Sequence, residues 1–301
     1  MSNKTKIWLI LATIFVVFGS GIFGFAMSKY NWDFTKLSTV KCETKTYELN
    51  EKFLDVVIDS SISDIKFISS EDNICKVVCE EIEKVKHDVY VSDNKLTINI
   101  NDERKWYDYI NIVSLFPKIT IYLPNNNLES FNLYGKTGDV YIENLSIKAL
   151  NISITTGDIM LQNIKSDDLF IKGNTGDINM NNVIITNTIA LEIGTGDIEL
   201  DDTLCNKLDI KTNTGDTKLT NVLVSNDFTL DSITGDLLLD RFDALNMDIK
   251  INTGDINGTI LTSKIFDVET RTGRVRVPES SYGGKCKIRT GTCDINLSYK
   301  N

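Results

Sequence analysis

The stretch Thr155–Ile164 reads TTGDIMLQNI, and near-copies of it recur along more than half of the chain. The Thr-Gly-Asp triplet ends at Asp139, Asp158, Asp177, Asp197, Asp216, Asp236 and Asp255, at successive spacings of 19, 19, 20, 19, 20 and 19. Continued onward, the column meets Arg274 in RTGR and Asp294 in TCD, nine positions in all. A fixed period of this length marks a stacked-repeat architecture. Apolar residues flank the triplets: Ile152 and Ile154 before and Ile159 and Leu161 after, or Leu191 and Ile193 before and Ile198 and Leu200 after. Each flank alternates with period two, as a strand with one buried face does. Counting in twos from Ile152 makes Thr156 inward, yet the alternation resumes at Ile159. A straight strand cannot lose its phase in this way, so the chain turns at Gly157–Asp158. Glycine supplies a permissive backbone there, and aspartate can hydrogen-bond locally. The triplet therefore reads as a corner, with threonine expected inside and aspartate outside.

A unit this short cannot bury its own apolar face. Stacked coils can, each strand pairing with its counterpart about 4.8 Å away. The expected fold is all-β: a parallel β-solenoid (β-helix) of about 19–20-residue coils over residues 136–301, its nine corners spanning about 38 Å. Two strands per coil are evident, and NVIITNT and NVLVSND suggest a third short one. Residues 51–135 are less regular and are expected to cap the first edge of the solenoid. Within them SSISDIKFIS reads as a corner lacking its glycine, with Ile65 and Phe67 in the inward slots after Asp64. HDVYVSDNKLTINI reads as a hairpin turning at Ser92-Asp93-Asn94.

PKITIYLP followed by serial TGDI resembles the DUF4097 family, β-solenoid domains of bacterial envelope proteins described as candidate adhesins. The resemblance covers about residues 50–299. It implies the solenoid fold and a surface role, and it brings no catalytic residues. Arg274 in the aspartate column and Cys293 in the glycine column depart from the pattern.

Residues 1–28 differ from the rest. Ile7–Met27 carries no charge, and a bilayer core needs roughly 20 apolar residues in a helix, so this stretch can span. A cleaved signal peptide would have a shorter apolar core and a small-x-small site, which GFAMSKY does not supply. The expected organisation is a signal-anchor helix over 1–28, a stalk over 29–50, and a single-pass protein of the cell membrane. With Lys4 and Lys6 in a short tail, the C-terminal domain is expected outside the cell. The net charge is −10, and segment 1–28 holds two lysines and no acid, leaving −12 for the remainder. An acidic, arginine-poor domain argues against nucleic acid as a partner. The six cysteines include no C-x2-C pair, which argues against a zinc site. They read either as disulfides of an external domain or as scattered buried thiols, the simpler reading. Cys75 and Cys79 share one strand face about 13 Å apart, too far to bond each other.

Stacked in register, Asp139, Asp158, Asp177, Asp197, Asp216, Asp236 and Asp255 form a ladder of carboxylates about 4.8 Å apart. Either they are turn-formers, or they are a ligand or cation row, with Ca2+ the one weak cofactor candidate. Trp106, Tyr107 and Tyr109 form an aromatic patch suited to a partner or to packing over the solenoid end. Arg271, Arg274, Arg276 and Arg289 cluster near the C-terminus, as an end cap or a contact for an anionic glycan. The lone histidine, His87, reads as a solvated surface residue. No catalytic constellation emerges, and the expected function is not enzymatic. It is display of a rigid solenoid for adhesion or envelope-stress-related scaffolding, with an envelope glycan or protein as partner. The alternatives are a glycan-active β-helix enzyme and a self-assembling scaffold.

Overall fold

The computed structural model describes residues 2–33, 42–70, 74–105, 117–124 and 128–300. Helix α1, Asn3–Lys29, is capped by the Ser2 hydroxyl, which accepts from the Thr5 amide at 3.3 Å. The helix extends about 40 Å at the usual rise per residue and is apolar enough to cross a membrane. Beyond it, the described residues are mostly β-strand.

Six consecutive strands each make one full coil: β9 (Val140–Thr156), β10 (Ile159–Thr175), β11 (Ile178–Thr195), β12 (Ile198–Thr214), β13 (Thr217–Thr234) and β14 (Leu237–Thr253). Each pairs in parallel with the next, in register over nearly its whole length. Three corners divide a coil into three straight stretches. One is the glycine corner, at φ 144° in Gly157, and a second is a left-handed residue five positions after the aspartate, at φ 54° in Asn163. The third is where pairing shifts register, between Ser166 and Asp168 in β10. The longer coils place their extra residue at this third corner, at Ile185/Thr188 and Val224/Asp227. That is how the two coil lengths alternate without disturbing either other corner. The third short strand expected from NVIITNT is real: Val183–Ile185 pairs with Thr203–Cys205.

The interior is a set of stacked aliphatic rows. Val140, Ile159, Ile178, Ile198, Leu237 and Ile256 occupy one row and are buried, with Thr217 in the same slot of β13. Each aliphatic side chain so enclosed contributes roughly 1.5–3 kcal/mol, which no single coil could secure alone. Threonine is exposed at every complete triplet from Thr137 to Thr253, contrary to the inward position that alternation assigns it. Burial stops at Ile154 and restarts at Ile159, so Thr155, Thr156 and Asp158 all lie outside the core. The corner is wider than a one-residue slip.

Both ends of the column depart from sequence order. At the start, β2 (Asp55–Ile62) and β3 (Asp64–Ser70) lie between β8 (Leu128–Thr137) and β9 on one side and β6 (Lys95–Asp102) and β7 (Lys118–Pro124) on the other. Antiparallel strands then cover this end: β1 (Cys42–Leu49) on β4 (Cys75–Ile82), β4 on β7, and β5 (Val85–Ser92) on β6. The β5–β6 hairpin turns at Asp93 and Asn94, both left-handed at φ 51° and 59°, which is the twist-matched two-residue turn. β1 falls inside the 29–50 stretch expected as a stalk. It is instead paired along its whole length with β4, and its Tyr47 and Leu49 pack against the core.

At the far end, β15 (Ile256–Ile260) follows β14. Next in the chain come β16 (Lys264–Thr272) and β17 (Val275–Arg276), then β18 (Gly284–Thr292) and β19 (Ile295–Tyr299). In space the last pair is inserted: β18 pairs with both β14 and β16, and β19 with both β15 and β17. The outermost coil is thus 264–276, with a very short final strand, exposed Arg271 and Arg276, and Pro278 just beyond. Short, charged and proline-flanked edges resist adding a further strand.

Candidate functional site

The Gly-Asp corners stack into one continuous line. Gly157 has φ 144°, and a Cβ there would run into the carbonyl oxygen of Gly138 in the coil below. The same collision recurs at Gly176, Gly196, Gly215, Gly235 and Gly254, so glycine is required on two counts, conformation and space. The glycine amide still joins the ladder: that of Gly157 donates to Thr175 O at 3.0 Å. The next amide points back toward the preceding coil and meets a carboxylate. Asp158 N–H donates to Asp139 Oδ1 at 2.9 Å, Asp177 to Asp158 at 2.8 Å and Asp197 to Asp177 at 2.8 Å. Asp216 donates to Asp197 and Asp236 to Asp216, both at 2.8 Å, and Asp255 to Asp236 at 2.7 Å.

The line is longer than the triplets. Asp64 accepts from Asp139 N–H at 3.1 Å, so the glycine-less corner is its first member. At the other end Asp294 donates to Asp255 at 2.9 Å, and Arg274 donates to Asp294 at 2.8 Å. Ten corners in this order span about 43 Å. Arg274 closes the line with its guanidinium, Nη2 lying 2.8 Å and Nε 3.2 Å from Asp294 Oδ2. The Arg274 amide and then its guanidinium hold the Asp294 carboxyl below the usual aspartate range. Each carboxylate thus does what a side-chain cap does at a helix end, taking an amide that has no backbone acceptor. Among the described residues, no group of three or more His, Cys, Asp and Glu is placed to hold a metal ion.

A second line runs along the left-handed corner. Asn144, Asn163, Asn182, Asp202, Asn221 and Arg241 all have φ between 49° and 56°. Asn163 Nδ2 donates to Asn144 Oδ1 at 2.8 Å, and Asn182 to Asn163 at 2.7 Å. Asn221 donates to Asp202 in the same way. Sequence reasoning passes over this row, although it sits five positions after every aspartate from Asp139 to Asp236 and carries the residues that best tolerate left-handed backbone.

Trp106, Tyr107 and Tyr109 lie outside the described residues. His87 does not have its expected place. It is 2 % exposed on the inner side of β5, its Nδ1 3.6 Å from Glu81 Oε1, with neither ring nitrogen hydrogen-bonded. The strand turns Val85 and His87 toward the covered end, and Tyr47 of β1 closes over it by donating to His87 O at 2.7 Å. Burial is the main cause that lowers the imidazole pKa, outweighing the pull of Glu81. Four cysteines, Cys75, Cys79, Cys205 and Cys286, are buried thiols whose pKa burial pushes up to about 12, and Cys293 to about 11. Protonated thiols of this kind are inert. Arg289 pairs with Asp267 at 2.6 Å and Glu269 at 3.0 Å, which ties β18 to the outermost strand β16.

The Toastrack DUF4097 family model matches residues 53–224 and 205–301, the greater part of the chain. The chain belongs to the Toastrack DUF4097 family. Among solved structures, this Toastrack chain is similar to a candidate lipid-binding protein from Parabacteroides distasonis at 15 % identity and TM-score 0.54, covering 85 % of this chain and 97 % of that one. It is also similar to a candidate adhesin from Bacteroides fragilis at 18 % identity and TM-score 0.46, covering 87 % and 99 %. A candidate cell adhesion protein from Clostridium sporogenes matches at 16 % identity and TM-score 0.22, covering 87 % and 100 %. The Parabacteroides likeness shows a shared fold. No protein of curated function matches this chain.

Proposed function

We propose that the chain is a membrane-anchored, non-catalytic surface module of a bacterial envelope, α1 holding it in the membrane and the solenoid presented outside the cell. The observation that carries this reading is the register. Outward side chains repeat at each coil, so one face offers the same position again and again at about 4.8 Å, on a rigid backbone. Such a face suits weak contacts made many times over to a repetitive partner. Among the described residues, burial holds the Cys205 thiol protonated, and the corner-line aspartates each give an oxygen to a backbone amide, which supports a structural rather than a catalytic use of these groups. Treatment of intact cells with protease tests the topology. Fragments of residues 42–300 released from whole cells are the expected result, and protection until lysis overturns the reading. Hydrolysis of a glycan by the purified protein would overturn its non-catalytic part.

A further inference from the structure

Between the register-shift corner and the glycine corner, the coils carry a trough that the corner line does not use. It has a volume of about 570 Å³ and crosses six neighbouring coils, from Tyr134 in β8 to Thr229 in β13. Five steps of about 4.8 Å give it a length of about 24 Å. Two outward rows shape it. One runs Asn132, Asn151, Phe170, Ala190, Asp209, Thr229 and the other Tyr134, Ser153, Lys172, Glu192, Lys211, Asp231, each residue in register with the next. Small side chains at Ser153 and Ala190 open the floor between the larger ones. A second trough of about 500 Å³ lies along the far side of the second row.

Two aromatic rings stand exposed in this trough, Tyr134 at 51 % and Phe170 at 44 %. They are two coil steps apart along the axis, about 9.6 Å, and stand on opposite rows, about 7 Å apart across the trough, so a chain lying along the axis passes between one ring and the other. Beyond them the charges alternate, Lys172, Glu192, Lys211, Asp231, and Lys172 Nζ pairs with Glu192 at 2.8 Å. The trough is therefore close to neutral on a domain that is strongly acidic, which disfavours polyanions. Exposed apolar ring faces among amide, hydroxyl and paired charged groups match the two sides of a sugar, one C–H face and a rim of hydroxyls.

We infer that this trough binds a linear, extended, uncharged glycan laid along the solenoid axis, about one sugar per coil, with Tyr134 contacting it from one row and Phe170 from the other. The inference rests on the surface-module reading and names the ligand class of one face. A repeating ligand on a repeating surface needs the two periods to agree, and here one coil advances about as far as one hexose.

The test is calorimetric titration of the full chain in detergent with β-1,4-linked N-acetylglucosamine dimer and hexamer, and with polygalacturonate as the anionic comparison. The expected result is binding of the hexamer, more weakly of the dimer, and not of polygalacturonate. Tyr134→Ala and Phe170→Ala should each weaken hexamer binding about five- to tenfold, while Tyr282→Ala, an exposed ring outside the trough, leaves it unchanged. Both trough residues are exposed, so unchanged melting temperatures establish that the variants fold. No hexamer binding, equal affinity in the trough variants, preference for polygalacturonate, or displacement of hexamer by a fatty acid overturns the inference. None of these outcomes alters the protease result that tests surface location, so the two readings fail separately.

Discussion

Asp197→Ala and Asp197→Asn separate a corner line that closes backbone amides from one that collects cations. The Asp197 carboxylate accepts from the Asp216 amide at 2.8 Å, while its own amide donates to Asp177 at the same distance. Alanine removes the acceptor and leaves the Asp216 N–H to water, since the corner is exposed. The loss resembles removal of a helix cap in a wet position, about 1 kcal/mol. For a domain of this size that lowers the melting temperature by about 2–4 °C. Asparagine keeps an oxygen at the accepting position, so its cost should stay within about 0.5 kcal/mol although it loses the charge. Alanine at Asp177, Asp197 and Asp216 together should cost about 3 kcal/mol, with some departure from additivity because the three share one line. The assay is thermal unfolding of each protein with calcium and with chelator. Amide closure predicts Ala below Asn, Asn near wild type, and no response to chelator in any of them. If Asn is as damaging as Ala, or chelator brings wild type down to the variants, charge rather than the acceptor holds the corner and the reasoning fails.

Deleting residues 284–301 should release two coils rather than one, because among the described strands β16 pairs only with β18 and β17 only with β19. Hydrogen exchange would show amides of 264–276 unprotected in the truncated protein, and retained protection there would refute the inserted order. Burial lowers the folded pKa of His87 below the ordinary 6.5, so the unfolded chain takes up the proton first. Stability should therefore fall as pH drops below about 6.5, and His87→Leu should flatten that slope in urea titrations between about pH 7 and 5.5. Arg241 holds φ 52° in the row otherwise built of Asn and Asp. Arg241→Asn should stabilise by about 0.5–1 kcal/mol, read as a higher denaturant midpoint.

The coil is legible because it repeats. A short fixed period with alternating flanks admits few architectures, and the glycine column marks where the backbone must turn. Counting alternation through the corner misplaces the threonine, because the core boundary falls at Ile154 and Ile159. The Asn144–Asn163–Asn182 row is equally periodic, but it is polar and lies between two apolar runs, so it reads as ordinary surface. His87 escapes a local reading because its burial in the covered end comes from β1, β4 and β6, whose pairing is antiparallel and partly non-local. The trough depends on which side chains align across coils. That alignment becomes visible only once the third-corner insertions at Ile185/Thr188 and Val224/Asp227 are placed.

Arg274 looks like a defect in the aspartate column, and its position in space explains it. A corner needs a carboxylate only if another corner's amide stacks on it. Asp294 is last in sequence, but β19 lies between β15 and β17, so the Arg274 amide rests on Asp294 and needs its carboxylate. Arg274 is last in space, and among the described residues no further corner stacks on it. Freed from that task, its side chain turns back to pair with Asp294 Oδ2 and offsets the charge at the end of the line. The same logic holds at the start, where Asp64 accepts from the distant Asp139, because β3 rather than β7 is the neighbour of β9. Reversing the sign at an interior corner should therefore be costly. Asp216→Arg loses the acceptor for Asp236, whereas the arginine native to position 274 displaces no such bond. The side chain at each corner follows the order of the coils in space, not their order along the chain.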